Sequence, residues 1–367
     1  MDQATVRRRL LALRQARGVT QEQLATALEF KDRQTLSDIE GGGRVIAFPE
    51  LSKAARFFGV KIDYFTDPLK MAGEAKFSWR RSMESGDGLD TFEDRAGDWI
   101  AAYRYLRKLK GETVNSSLTQ IGLGPKSSFE DAWAEGEAIA QALELGEVPA
   151  LRLAQALEDQ WDTLVLFVDA PTGISGAACQ LGAMNTVIIN RREPEGRRNY
   201  DLAHEVFHLI TWSKMEPPHI EQVQTPTKYK RMENLAENFA AGLLMPSHSV
   251  EKYLSEMPLP SDEVELKEWI RAAAARFRVS GEAMKWRLVC LKKISKAAAL
   301  RLEPAVIRVP LGNGLPARFS RPFMEAMGWG ISTGHISVRR AAEIVGGGID
   351  DLADLFSEHG LKTPFDL

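Results

Sequence analysis

The chain has 367 residues, a net charge of −3 and 26% charged residues. That length supports two or three domains, each able to bury a core, and the near-balanced charge excludes a surface coated for non-specific nucleic-acid binding. No apolar run approaches the roughly 20 residues of a membrane span, and the only two cysteines, Cys179 and Cys290, lack the spacing of a disulfide framework or a Cys-rich zinc site.

The start of the chain runs straight into a charged helical pattern rather than a signal peptide, so a reducing, cytoplasmic location is expected. Residues 5–16 place Val6, Leu10, Leu11 and Leu13 at helical spacing among basic residues, and Gly18 ends that helix. Thr20 with Gln23 three positions on reads as a capping box opening a second helix, with Leu24, Ala25 and Leu28 inward. Residues 33–40 give a third helix with Leu36 and Ile39 inside and Arg33, Gln34, Thr35, Ser37 and Asp38 outside. Pro49 opens a fourth helix over residues 50–58. Short helices with tight turns and one Arg/Gln/Thr/Ser edge describe a helix-turn-helix reader. A four-helix protein-interaction module is the competing reading, and the slight basic excess here separates the two only weakly.

Residues 10–25, 33–40 and 58–65 resemble the Xre/Cro-type DNA-binding domain. The resemblance implies a reader of double-stranded operator DNA over residues 1–70 that grips two half-sites as a homodimer. Gln21, Arg33, Gln34, Thr35 and Ser37 are the expected contacts, since amide side chains read adenine and Arg reads guanine or phosphate. The turn at residues 29–32 departs from the usual glycine-containing turn and is one residue longer, which is expected to tilt the recognition helix.

Residues 67–90 mix Gly, Ser and charges and read as connecting material, and residues 71–110 as a helical linker carrying the stripe Trp99, Ile100, Tyr103 and Leu106. Further helices are predicted over 129–145 and 151–157. Residues 163–168, 176–181 and 186–190 are short β-rich runs. A sheet just ahead of a catalytic helix can lend an edge strand to an extended substrate, and residues 186–190 are the expected edge. Residues 277–293 read as a helix with Val279-Ser280 at its entry and a basic patch, and residues 296–367 as a small helical module.

The sharpest signal is His204-Glu205-Val206-Phe207-His208. Residues four apart share a helix face, so the two imidazoles can reach one metal ion while Glu205 takes a proton from its water. Leu202, Ala203, Val206, Phe207, Leu209 and Ile210 make the surrounding helix apolar, and a structural role leaves the three polar side chains unexplained. A catalytic zinc needs a third protein ligand and one open position. Glu233 is the best candidate, on a helix closed by Pro246; Glu237, one turn on, is placed to accept a hydrogen bond from a ligating histidine. His219 and His248 stand in reserve.

Residues 198–210 and 233–246 resemble the two motif helices of the ImmA/IrrE family of zinc metallopeptidases. The resemblance implies Zn²⁺ held by His204, His208 and Glu233, Glu205 as general base, and a protein substrate such as a repressor or antitoxin in a stress, phage or toxin–antitoxin response. Tyr229, or His219, is the expected oxyanion partner. Phe207 and Asp201 depart from the family pattern and keep a second reading open, a regulator whose zinc domain senses a signal without cleaving. The expected fold class is α+β: an all-α helix-turn-helix domain at 1–70, a zincin-like α+β metallopeptidase domain with a small sheet at 111–295, and the helical region at 296–367.

Overall fold

The computed structural model describes residues 3–71, 75–81, 88–113, 118, 121–222, 227–308 and 314–366. The first five helices are α1 (Gln3–Ala16), α2 (Gln21–Ala27), α3 (Arg33–Gly41), α4 (Phe48–Phe58) and α5 (Asp63–Thr66). They close on their own core of Val6, Leu10, Leu24, Leu36, Ile39, Leu51 and Phe65. Thr20 forms the capping box with Gln23, and Asp32 caps α3 through the Thr35 amide. Glu29 takes the left-handed conformation (φ 59°) where a glycine would sit without strain. Arg9, fully buried, donates to the carbonyl oxygens of Tyr64, Asp67 and Lys70 and so ties α1 to the segment leaving the bundle.

The rest of the chain is built on one sheet. Its strands are β1 (Lys76–Arg81), β2 (Thr163–Val168), β3 (Ile174–Leu181), β4 (Met184–Asn190) and β5 (Ile220–Gln222), in the order β2-β4-β3-β1-β5. β3 runs antiparallel to both β1 and β4, while β2–β4 and β1–β5 are parallel. Two expectations fail here. Lys76–Arg81, inside the segment read as connecting material, is a strand between β3 and β5, its short KFSWRR run hidden by the polar residues around it. The strand at residues 186–190 is central rather than an edge, because β2 and β3 flank it on both sides and bury it.

Helices cover both faces of the sheet. One face carries α7 (Phe129–Ala142), α8 (Leu153–Trp161), α9 (Glu195–Thr211), α10 (Thr227–Leu244), α12 (Glu263–Phe277) and α13 (Gly281–Cys290), with α11 (Ser247–Glu256) and α14 (Lys296–Arg301) beside them. The other face packs α6 (Leu89–Leu109) with α15 (Arg321–Ser332), α16 (Val338–Val345) and α17 (Ile349–Glu358). The stripe Trp99, Ile100, Tyr103 and Leu106 is core, as its spacing suggested. The helix expected over residues 277–293, entered at Val279-Ser280, is α13: Arg278 turns left-handed to end α12 and Ser280 caps the new helix. The last three helices supply the layer that shields Ile174, Ala177, Cys179 and Ile188 from water. A backbone bridge from the Phe319 amide to the Phe167 carbonyl (2.7 Å) docks them on β2.

Beneath that bridge lies Glu158 of α8, which accepts from the Val165 amide at 3.3 Å. Burial drives its carboxyl up from 4.5 to about 7, against hydrogen bonds from Ser320 and Val165 that pull it down. The folded form therefore holds a proton that the unfolded chain releases, so stability falls as pH rises from the unfolded value toward 7. Glu158→Gln should flatten that part of the stability–pH curve and raise the melting temperature at pH 8, by an amount corresponding to about 2–3 kcal/mol. Thermal melts of both proteins from pH 5 to 8 check this; parallel curves would show that the carboxyl does not titrate in that window.

Candidate metal centre

α9 is placed by glycine. A Cβ added at Gly176 of β3 would lie 2.8 Å from the Ile188 carbonyl oxygen and 3.9 Å from Cγ of Glu205, so the bare backbone there lets the helix settle onto the sheet. α10 is brought in by a matched pair: a Cβ at Gly136 of α7 would meet the Phe239 carbonyl oxygen at 2.3 Å, and one at Gly242 the Trp133 carbonyl oxygen at 2.4 Å. Two helices that touch backbone to backbone cross without slack.

α9 and α10 bring three donors together. Nε2 of His204 and Nε2 of His208 are 3.0 Å apart, and Oε2 of Glu233 lies 3.3 Å from the first and 3.9 Å from the second. These three atoms all lie within 4.8 Å of one another, and among the described residues no other His/Cys/Asp/Glu group of this kind occurs. A tetrahedral ion with bonds of about 2.0–2.1 Å spaces its ligand atoms about 3.3–3.4 Å apart, so the donor set and its spacing suit zinc. Two neutral imidazoles at 3.0 Å can share a proton by themselves, but that leaves the carboxylate from a second helix unaccounted for. Oε1 of Glu233 is buried and accepts no hydrogen bond.

Both imidazoles and Glu205 are buried, with Glu205 at 0% exposure. Phe207 does not crowd the donors. Its ring is buried in the main core, edge-on to His208 and 5.7 Å from the Phe239 ring between centroids. Tyr229 is half-buried one turn before Glu233 on the same side of α10. His219 pairs instead with Glu93 of α6 at 2.7 Å, and that hydrogen bond raises its pKa against the effect of burial. His248 is exposed and contacts the Ser249 hydroxyl. Neither reserve histidine joins the cluster.

Behind His204 stands an ion network of which the sequence pointed to Glu237 alone. Glu237 Oε1 is 3.9 Å from His204 Nδ1 and 2.8 Å from Arg80 of β1, and Arg80 also reaches Asp201 at 3.2 Å. Asp201 is fully buried and takes a second cation from Arg197, four residues earlier. Desolvation raises the Glu237 carboxyl pKa, but the neighbouring His204 ring and the Arg80 guanidinium outweigh it and leave the group below its ordinary value. The Tyr200 hydroxyl donates to the Glu237 carbonyl at 2.6 Å. Arg80, Asp201 and Glu237 also line one end of a cavity of about 1610 Å³ that opens between α9, α10 and α13. The signal for Arg80 was faint: an alternating KFSWRR run with two terminal arginines.

On the reader, Arg33 and Gln34 are exposed, while Thr35 and Ser37 are half-buried. Gln21 donates to Glu40, which pairs with Arg14; Gln34 donates to Asp38; the Thr35 hydroxyl donates to Asp32.

A helical bundle with a capped, polar-edged third helix, followed by an α+β unit with a His/His/Glu cluster, defines a reader joined to a peptidase-type domain. Comparison with known families agrees: residues 10–65 match the helix-turn-helix family and residues 159–289 match the IrrE N-terminal-like domain. The chain thus carries a helix-turn-helix domain fused to an IrrE N-terminal-like domain. No curated protein matches it. β1 and Arg80 lie well before the second matched segment.

Because the Cβ of residue 176 would press on the β4 backbone, Gly176→Ala should lower stability by about 1–3 kcal/mol. Urea denaturation monitored by far-UV circular dichroism reads this directly, and an unchanged midpoint would mean that β3 and β4 can part at no cost.

Proposed function

We propose that this chain is a DNA-binding zinc endopeptidase. Its reader, residues 1–70, occupies operator DNA, and its metal domain cuts a protein substrate of the repressor or antitoxin kind. The observation that carries the catalytic reading is the convergence of His204, His208 and Glu233 from two helices, with Glu205 buried beside them. In this reading the last three helices, α15–α17, serve as a layer on the far side of the sheet, α14 packs beside the catalytic helices, and β1 belongs to the catalytic unit rather than to a linker.

His204, His208 and Glu233 would hold the metal. When bound, a zinc ion supplies Lewis acidity to the scissile carbonyl and acidifies the attacking water. Glu205 takes the proton of that water as its oxygen bonds to the carbonyl carbon. The same carboxyl then gives the proton to the amine as the C–N bond breaks, leaving one acid and one amine. Glu237 lies 3.9 Å from Nδ1 of His204, on the side away from Glu233, where its negative charge favours that imidazole turning its other nitrogen toward the metal. Tyr229 supplies an O–H toward the developing oxyanion. The adjoining cavity gives an incoming chain room along the same helix seam.

The competing function is a regulator that uses its metal domain to sense. Glu205→Gln keeps the three donors and removes the base, so zinc content should stay near one per chain while cleavage of a co-expressed substrate falls by about 10²–10⁴. Glu233→Ala should lower zinc content sharply, as measured by inductively coupled plasma mass spectrometry. Identical proteomes with wild type and Glu205→Gln on induction would favour the regulator.

DNA recognition rests on the exposed edge of α3. Arg33→Ala should weaken operator binding by about 1–3 kcal/mol if it reads a base. If it contacts phosphate, the loss should be uniform across sequences, with a salt slope about one unit shallower. Fluorescence-anisotropy titrations on selected and scrambled duplexes between 50 and 200 mM salt separate these outcomes, and equal affinity of wild type and variant on both duplexes would remove Arg33 from the contact set.

A further inference from the structure

We propose that Arg80, carried by the first strand after the reader, is a positioning residue of the metal centre. The inference rests on the zinc reading above and adds to it a group from outside the matched peptidase segment. β1 enters the sheet between β3 and β5, with Trp79 and Phe77 packed into the far-side core. Alternation along the strand therefore sends Arg80 to the opposite face, toward α9 and α10.

There its planar fork spans two carboxylates on two helices, Nη1 to Asp201 at 3.2 Å and Nη2 to Glu237 at 2.8 Å. The arginine side chain is only 20% exposed and Asp201 only 1%, so that pair meets where water screens it little, while Glu237, at 44%, closes the fork on the solvent side. Asp201 stands one turn before His204 on α9, and Glu237 one turn after Glu233 on α10. Arg80 thus bridges the two helices that carry the donors, one turn from each. Through Glu237 it acts on His204, whose Nδ1 lies 3.9 Å from the carboxylate. Lysine cannot replace it: an ammonium is a point charge and lacks the fork that reaches both acids at once.

A purely structural ion pair would raise stability and leave metal affinity alone. A positioning role predicts the reverse emphasis, with zinc affinity falling while the fold survives. Zinc dissociation constants of the full chain, measured by competition with a chromogenic chelator, should weaken by about 10- to 100-fold for Arg80→Ala. Arg80→Lys should recover only part of that loss. The decisive measurement is the cycle with Glu237→Gln: once Glu237 is neutral, adding Arg80→Ala should cost less than about threefold more, because the two act as a unit.

Melting of the metal-free proteins runs alongside, so that a variant that loses its fold is identified and the lysine variant carries the comparison. Zinc affinity within about twofold of wild type for folded Arg80→Ala, or a fully additive cycle, overturns the proposal. A wild-type chain that binds no zinc overturns the metal reading itself, a result visible before any variant is made.

Discussion

α9 buries Asp201, His204, Glu205 and His208 within two turns, and the structure around it follows from that burden. An ionised side chain taken out of water costs several kcal/mol unless a counter-charge or a metal meets it. Two neighbouring elements bring partners to α9: α10 brings Glu233 and Glu237 to the imidazoles, and β1 brings Arg80 to Asp201. The close α7–α10 crossing fixes where α10 lies, and the bare Gly176 fixes how near α9 comes to the sheet. Backbone contact at three places converts a requirement for charge compensation into fixed donor positions.

Much of this was legible. Helical spacing put His204 and His208 on one face, and the second motif helix pointed to Glu233 before any coordinates. The cap of α2 was readable because capping is local chemistry, a hydroxyl three residues before its amide. Three of the five strands were found by β-rich composition. β1 and β5 were not, since each is short and polar and becomes a strand only by pairing with its neighbours. Strand order was equally hidden. Residues 186–190 look the same to a sequence whether central or marginal, and the placement of β4 between β2 and β3 is a non-local choice.

The two departures from the family pattern turn out to differ in kind. Phe207 faces the core and packs on Phe239, so its bulk fills space between α9 and α10 rather than space at the donors. Asp201 is part of the ion network, held by Arg80 and Arg197. Each member of the pair keeps a second partner, Arg197 for Asp201 and Glu237 for Arg80, so the buried aspartate is compensated by a network rather than by one arginine. Asp201 and Arg80 are therefore best read as one feature of this chain, split across 121 residues of sequence.

Glu205 separates the two functional readings. A sensor that only held zinc would need its three donors and a stable fold; a second carboxylate, wholly buried next to His204, would add a desolvation cost that metal retention does not require. Burial of that kind is tolerated where the group has work to do, and a carboxylate adjoining the donors is the group that peptide hydrolysis requires to move a proton. The cavity lined by Arg80, Asp201 and Glu237 opens one turn from the donors on the same two helices, which leaves room there for a bulky group. Both features bear on chemistry rather than on metal retention, and they weigh toward cleavage.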